Sequence, residues 1–298
     1  MKKLFLILLT LITLGANAQQ TFQFSEKDGQ KLYLDVYKSQ NPDNRKPLFI
    51  YVFGGGFMEG VRNNPHFLPF INILNNNGYN VVCIDYRLGL KDSKDKGLKM
   101  IYKSIQMAAE DLLTATNWLI NNQNQTGVNA DRIVTCGSSA GAITVLQADY
   151  ELNNGFPLSK IVPDGFRFSG VIAFSGAIFS KKGLVKYRKH NPAPTMFIHG
   201  TDDKIVTYNQ IHLFRWSFSG ASKLAKRFEK YEYPYYIYRY KGLQHEVNFY
   251  CERNINDVMN FIDNYVIKGK RLRNDFTYMD PDNQNTTKAK STKEYYKQ

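Results

Sequence analysis

Arg132-Ile-Val-Thr-Cys-Gly-Ser-Ser-Ala-Gly-Ala142, running straight into Ile143-Thr-Val-Leu-Gln-Ala148, is the stretch on which the reading of this chain turns. A β-branched apolar run stops at small residues and becomes helix-forming sequence without a spacer. Within it, Gly137-Ser138-Ser139-Ala140-Gly141 fits G-x-S-x-G, a strand–turn–helix corner that lifts a serine hydroxyl clear of the end of a parallel sheet. Ser139 stands at the apex. So sharp a turn presses backbone on backbone two residues before and two after the serine, and Gly137 and Gly141 leave room for that. The small Ala140 leaves its own N–H free to face a substrate. Because three fixed positions in five recur by chance, the flanking strand and helix carry the weight of the assignment.

Working outward, the same grammar repeats on both sides. Residues 21–37 alternate apolar and polar around Asp28-Gly29 and predict an antiparallel hairpin at a sheet edge. Leu48-Phe-Ile-Tyr-Val-Phe53 is a continuous apolar run, the mark of a strand covered on both faces, and it stops at Gly54-Gly-Gly-Phe57. A helix over 67–76 leads to a strand over 79–86. Residues 100–121 place Ile101, Ile105, Ala108, Leu112, Ala115 and Leu119 at steps of three and four, which predicts a helix with one stripe on a sheet. After the elbow, residues 153–169 read as an irregular insertion near the site mouth. Residues 170–177 and 195–199 read as buried strands, 208–230 as a helix, 235–240 as the last strand and 246–267 as the last helix. Strands alternating with helices predict parallel βαβ units, whose sites lie beyond the carboxyl ends of the strands.

A serine hydroxyl becomes a useful nucleophile only when a base takes its proton, and the imidazolium formed needs an orienting carboxylate. For a G-x-S-x-G serine the carboxylate follows a later strand and the histidine comes last. Ile198-His-Gly-Thr-Asp-Asp-Lys-Ile-Val206 offers Asp203, with Asp202 as the alternative, and Gly242-Leu-Gln-His245 follows the final strand. Either aspartate could instead cap a turn. Among five histidines, His66, His190 and His212 read as surface or packing residues and His199, at a strand end, as a maker of a structural hydrogen bond. Only His245 combines chain order with a loop after the last strand. Oxyanion donors are expected from the run Gly54-Gly55-Gly56 together with Ala140, since glycines directly after a strand offer bare backbone N–H groups, although such a run could instead be a flexible turn.

Composition sets the bounds. A chain of 298 residues can bury one large core. Met1 to Ala18 carries two lysines, an apolar run and Ala16-Asn17-Ala18, the pattern of a secretory signal peptide cleaved after Ala18. The run is short for a bilayer span and no cysteine follows to accept a lipid, so an exported protein without a stable membrane anchor is expected. Residues 19–267 form the expected single domain and 268–298 a basic, polar tail. Much of the net charge of +13 is peripheral: the leader lysines and a +4 tail leave +7 on the body. With no basic helix interleaved with aromatics, no nucleic-acid partner is indicated. Three cysteines, Cys83, Cys136 and Cys251, have neither disulfide nor zinc spacing. Cys83 and Cys136 should be separated by one strand, roughly 10 Å apart and too far to bridge.

Taken together, these motifs resemble the α/β-hydrolase superfamily, and within it the secreted carboxylesterases of the acetyl-xylan and feruloyl esterase-like branch, over roughly Leu32 to Ile267. The pieces are Gly54-Gly-Gly-Phe57 with Gly60, Asp85-Tyr-Arg-Leu88, Glu110-Asp111 with Trp118-Leu119, Asp131-Arg-Ile133 before the elbow, and His199-Gly-Thr-Asp-Asp-Lys-Ile-Val206. The resemblance implies a mostly parallel central sheet of about eight strands with helices on both faces. It implies Ser139 as nucleophile, His245 as general base, Asp203 as orienting acid, and Gly55, Gly56 and Ala140 as oxyanion donors, with Phe57 an alternative among them. A serine ester hydrolase of this kind uses no metal and no cofactor and takes small-molecule or oligosaccharide esters. The rival readings are a prolyl-oligopeptidase-like peptidase, which commonly carries a second domain or lid, and a non-catalytic hydrolase-like binding module. Phe53 stands where relatives usually place a histidine before the glycines, and His-Gly-Thr-Asp-Asp replaces the Asp-Pro-Leu segment of the hormone-sensitive-lipase branch.

Overall fold

The computed structural model describes residues 19–95 and 97–279, so the expected leader and the end of the tail lie outside the described residues. β1 (Gln19–Lys27) and β2 (Gln30–Tyr37) form the expected hairpin, with positive φ at both Asp28 and Gly29, the tight turn that suits the twist of paired strands. Then follow β3 (Leu48–Val52), α1 (Leu68–Asn76), β4 (Val81–Ile84), α2 (Leu98–Asn121), the short α3 (Gln123–Thr126), β5 (Ile133–Ser138) and α4 (Ala140–Asn154). The second half holds β6 (Gly170–Phe174), β7 (Ala177–Ser180), β8 (Thr195–Gly200), β9 (Gln210–Leu213), β10 (Trp216–Gly220), α5 (Ala221–Lys230), β11 (Tyr235–Tyr240), α6 (Ile255–Phe261) and β12 (Arg273–Tyr278). Among the described residues, no helix is long and apolar enough to cross a membrane.

Nine strands make the main sheet, in the order β1-β2-β4-β3-β5-β6-β8-β11-β12, with β2 antiparallel to both its neighbours and every pair from β4 to β12 parallel. β3 lies between β4 and β5, so the chain changes direction across the sheet there, and the crevice beyond the carboxyl ends of β3 and β5 is the natural place for a site. Register aligns those ends: Val52 opposes Gly137, Ser138 opposes Phe174, Phe174 opposes Ile198, and Gly200 opposes Tyr240. The loops bearing Gly54–Gly56, Ser139, Asp203 and His245 therefore leave the sheet along one rim.

Burial explains why the strands read as unbroken apolar runs. Every residue of β3, β4, β5 and β6 is buried, because helices cover both faces. α2 turns Ile105, Ala108, Leu112, Ala115 and Leu119 inward, with Ile101 partly buried at the end of the expected stripe. Each fully buried leucine or isoleucine of this kind contributes about 2 kcal/mol. α4 is buried from Ala140 through Asn153, which an amphipathic surface helix never is. Cys83, Cys136 and Cys251 are free and buried, and β3 separates β4 from β5 as expected.

Several expectations change. Residues 246–267 are not one helix, since a 3-10 turn over His245–Phe249 and further turns precede α6, and the run 170–177 breaks at Ser175 (φ 56°) into β6 and the start of β7. Residues 208–230 are not one helix. Only Ala221–Lys230 is helical, with Ala221, Leu224, Ala225 and Phe228 buried. β9 and β10 precede it as a hairpin turning at Phe214 (φ 53°), and β7 joins β10 to complete a second, three-stranded sheet. The strong helical period of 221–230 masked the alternation of Trp216-Ser-Phe-Ser219. Residues 153–169 lie away from the site mouth, because α4 carries the chain about 22 Å from Ser139, at 1.5 Å per residue, before they begin. Tyr240 does not end the last strand of the sheet: part of the expected tail forms β12, parallel to β11. Aromatic and ionic contacts hold it in place of aliphatics, namely Tyr236 with Phe276 at 5.2 Å, Tyr240 with Tyr278 at 5.6 Å, and Arg239 paired with Asp275 at 2.6 Å.

Candidate active site

The elbow forces Ser139 into φ 51°, ψ −116°, a conformation that costs a non-glycine residue energy and persists only where its surroundings impose it. Its N–H donates to Phe174 O at 2.8 Å, tying the corner to β6. A methyl group at Gly141 would stand 2.0 Å from Val52 O, and one at Gly137 would stand 2.3 Å from the Gly141 carbonyl carbon. Both glycines are therefore dictated by backbone contact. Ser139 sits at the N-terminus of α4, where unpaired N–H groups and the helix dipole favour negative charge.

Ser139 Oγ lies 2.8 Å from His245 Nε2, and His245 Nδ1 lies 2.7 Å from Asp203 Oδ2. His245 and the Asp203 side chain are fully buried, and Ser139 nearly so. Burial raises the Asp203 carboxyl, but the facing His245 and His199 outweigh it and hold the group well below the usual carboxylate range. An ionised carboxylate only accepts, so His245 carries its proton on Nδ1 and leaves Nε2 to accept from the Ser139 hydroxyl. Asp203 Oδ1 accepts from the N–H groups of Ile205 (2.8 Å) and Val206 (3.0 Å), which fixes the carboxylate in its loop. Asp202, the alternative, accepts from the Thr201 hydroxyl and faces outward. Its N–H donates to Leu243 O at 2.9 Å and so laces the two loops together. The structure thus brings Ser139, His245 and Asp203 into one chain of hydrogen bonds and leaves Asp202 outside it.

The glycine loop after β3 is held beside the nucleophile. A Cβ on Gly54 would meet Ser139 Cβ at 3.2 Å. Gly55, Gly56 and Phe57 all have positive φ, which glycine accepts and Phe57 adopts at some cost. Met58 and Glu59 donate to Gly55 O, closing the turn, while Leu90 N–H donates to Phe57 O. Among the described residues, the N–H groups of Gly55, Gly56, Phe57 and Ala140 donate to no protein acceptor. Phe53 braces this loop through its ring, stacked on Tyr86 with centroids 4.5 Å apart, and through its carbonyl, which accepts from the Tyr86 hydroxyl at 3.1 Å.

Sequence reasoning gave His199 a structural hydrogen bond without a partner. The partner is Asp203 itself: His199 Nε2 is 3.1 Å from Oδ2. Spacing could have hinted at it, since a strand-end histidine four residues before a turn aspartate can fold back on it. A separate cleft of about 290 Å³, lined by Tyr102, Gln147, Glu151, Phe156 and Phe179, lies between α2, α4 and β7. Its ring faces are already covered by the protein's own ammonium groups, Lys181 over Tyr102 at 3.7 Å and Lys182 over Phe156 at 4.7 Å.

The strand order, the elbow at the end of β5 and the aligned rim define an α/β-hydrolase fold. The family model described as BD-FAE matches residues 34–177, a span that includes the Gly54–Phe57 loop and Ser139 and stops short of Asp203 and His245. Among curated proteins, the cAMP-regulated D2 protein of Dictyostelium discoideum is 32% identical over 116 residues, which are 38% of this chain and 21% of that protein. Secreted lipase 5 of Gibberella zeae is 28% identical over 148 residues, 47% of this chain and 24% of that protein. The matches therefore span about a fifth to a quarter of these relatives' length. Among solved structures, propionate-bound esterase 2 of Thermogutta terrifontis superposes with a TM-score of 0.61 at 19% identity, covering 84% of this chain and 95% of that one. The same esterase phosphoramylated by tabun gives 0.62 at 18% identity, with the same coverage. At such identity the likeness is one of fold.

Proposed function

We propose that this protein is a serine hydrolase of carboxylic esters, working by acyl transfer to Ser139. The observation that carries the reading is the buried relay from Ser139 Oγ to His245 Nε2 (2.8 Å) and from His245 Nδ1 to Asp203 Oδ2 (2.7 Å), at the apex of a strained elbow. In this reading His245 takes the hydroxyl proton as Ser139 attacks the ester carbonyl, and Asp203 stabilises the imidazolium. The negative oxygen of the tetrahedral intermediate faces the free N–H groups of Gly55, Gly56 and Ala140, at the positive end of α4, with each donor lowering the barrier by about 3 kcal/mol. Collapse returns the proton from His245 to the leaving alkoxide. Water, activated by the same imidazole, then releases the acid.

Solved forms of the Thermogutta terrifontis esterase contain propionate and butyrate and carry sarin adducts, which favours short acyl groups for this chain as well. We further propose export, with the leader removed near Ala18, and acetyl or feruloyl esters of saccharides as the substrate class; the leader pattern and the similarity to a secreted lipase support this. The test is turnover of p-nitrophenyl acetate by the wild type and by Ser139→Ala. Loss of activity on the order of 10⁴-fold or more is expected, with unchanged stability. Residual activity near wild type would mean that another nucleophile does the work. A panel of acetylated and feruloylated oligosaccharides, run beside an aminoacyl-proline anilide, then tests the substrate class.

A further inference from the structure

His199 ends β8 with its side chain fully buried. Its Nε2 stands 3.1 Å from Asp203 Oδ2 and 3.1 Å from Val206 O. Both are acceptors, so Nε2 carries the hydrogen. The other ring nitrogen, Nδ1, is buried without a hydrogen-bond partner among the described residues. If this side chain served only to fill space, an apolar ring would fit without stranding a polar atom, and buried polar atoms are seldom left so. The nitrogen that does bond is directed at the same carboxylate oxygen that accepts from His245.

We propose that His199 is a positioning residue for the orienting acid, holding Asp203 Oδ2 in line with His245 Nδ1 and taking up part of the charge that Asp203 presents to that imidazole. The inference rests on the triad reading above. Asp203 then has four donors, Ile205 and Val206 N–H on Oδ1 and the two imidazoles on Oδ2. Tethered at both oxygens, it cannot rotate away from His245 during turnover. The other titratable groups around His199 are Tyr208, whose ring packs edge-on at 5.6 Å, and Arg239, its register neighbour on β11. Arg239 contacts the Tyr208 hydroxyl and pairs with Asp275. Its charge is thus engaged elsewhere, leaving His199 to act on Asp203.

Three variants test this. His199→Gln can place its amide donor near the position of Nε2, whereas the shorter side chain of His199→Asn falls short of Asp203 and His199→Phe has no donor. With p-nitrophenyl acetate, Phe and Asn should lower kcat about 10-fold or more with KM little changed. They should also move the acid limb of the kcat/KM profile to higher pH by about half a unit, because an undiluted Asp203 charge favours the imidazolium. Gln should restore both. If Phe fails to fold, the Asn and Gln pair decides alone. Wild-type kcat and acid limb in folded Phe or Asn, or Gln no better than Asn, would overturn the inference. Ser139→Ala, run in parallel, separates the two readings: if it is inactive while the His199 variants are unaffected, only this inference falls; if it stays active, the triad reading falls and this one with it.

Discussion

Asp202 and Asp203 are chain neighbours, yet their loop turns one carboxylate to solvent and the other, fully buried, onto His245. An amide at 203 would bond the imidazole in the wrong tautomer and leave Ser139 without a base. Asp203→Asn should therefore cost kcat roughly 10³- to 10⁴-fold, while Asp202→Asn should stay within about 3-fold. Steady-state kinetics on both variants checks this, and the reverse ranking would contradict it. Two adjacent carboxylates share one spacing, so sequence alone left the choice between them open. The elbow was legible because contacts such as the approach of Gly141 to Val52 O admit no Cβ, and a residue so constrained marks itself in the sequence. The second role of the Asp203 oxygen was hidden, because it depends on how the 200–206 loop closes.

Parallel strands were readable wherever both faces are covered, since burial on two sides excludes charged and long polar side chains from β3 and β5 and admits only small hydroxyls such as Thr135 and Ser138. At the sheet's far edge that signal vanishes. β12 is held by rings and ion pairs, and its Tyr278 O accepts from Lys241 N–H at 2.9 Å, just as the chain enters the loop to His245. β12 thus steadies the base as well as the edge. Replacing Phe276 and Tyr278 together by Ser should lower Tm by about 4–8 °C, as expected for a loss of about 2 kcal/mol in a domain of this size, and should lower kcat through looser placement of His245. Thermal melts beside kinetics provide the check. An unchanged Tm would mean that the strand is not part of the folded unit. The 208–230 segment shows the converse error, in which one strongly periodic turn of sequence lent its character to a neighbouring hairpin.

At the scale of the whole molecule, α4 is the element around which the rest packs, and it carries polar groups into the core. Asp149 accepts from the Asn153 side chain at 2.8 Å and from Ala193 N–H at 3.4 Å. Burial pushes its carboxyl up to about 7, even though those bonds and Arg167 favour the anion. In the unfolded chain it would titrate near 3.9. The native state therefore holds this proton more tightly, and the stability so conferred is complete below about pH 4 and is lost as pH rises through about 7. Asp149→Asn should come close to wild type in urea unfolding near pH 4 and exceed it at pH 8 by an amount on the order of 4 kcal/mol. An equal difference at both pH values would refute the assignment. The account as a whole depends on Ser139 being the activated nucleophile, and the most direct test is to locate a fluorophosphonate adduct by peptide mass spectrometry on the folded protein. Modification should fall on the peptide bearing Ser139, at about one equivalent, and vanish when His245 is replaced by Ala. A properly folded protein that takes up no label, or takes it up at another residue, would contradict the account.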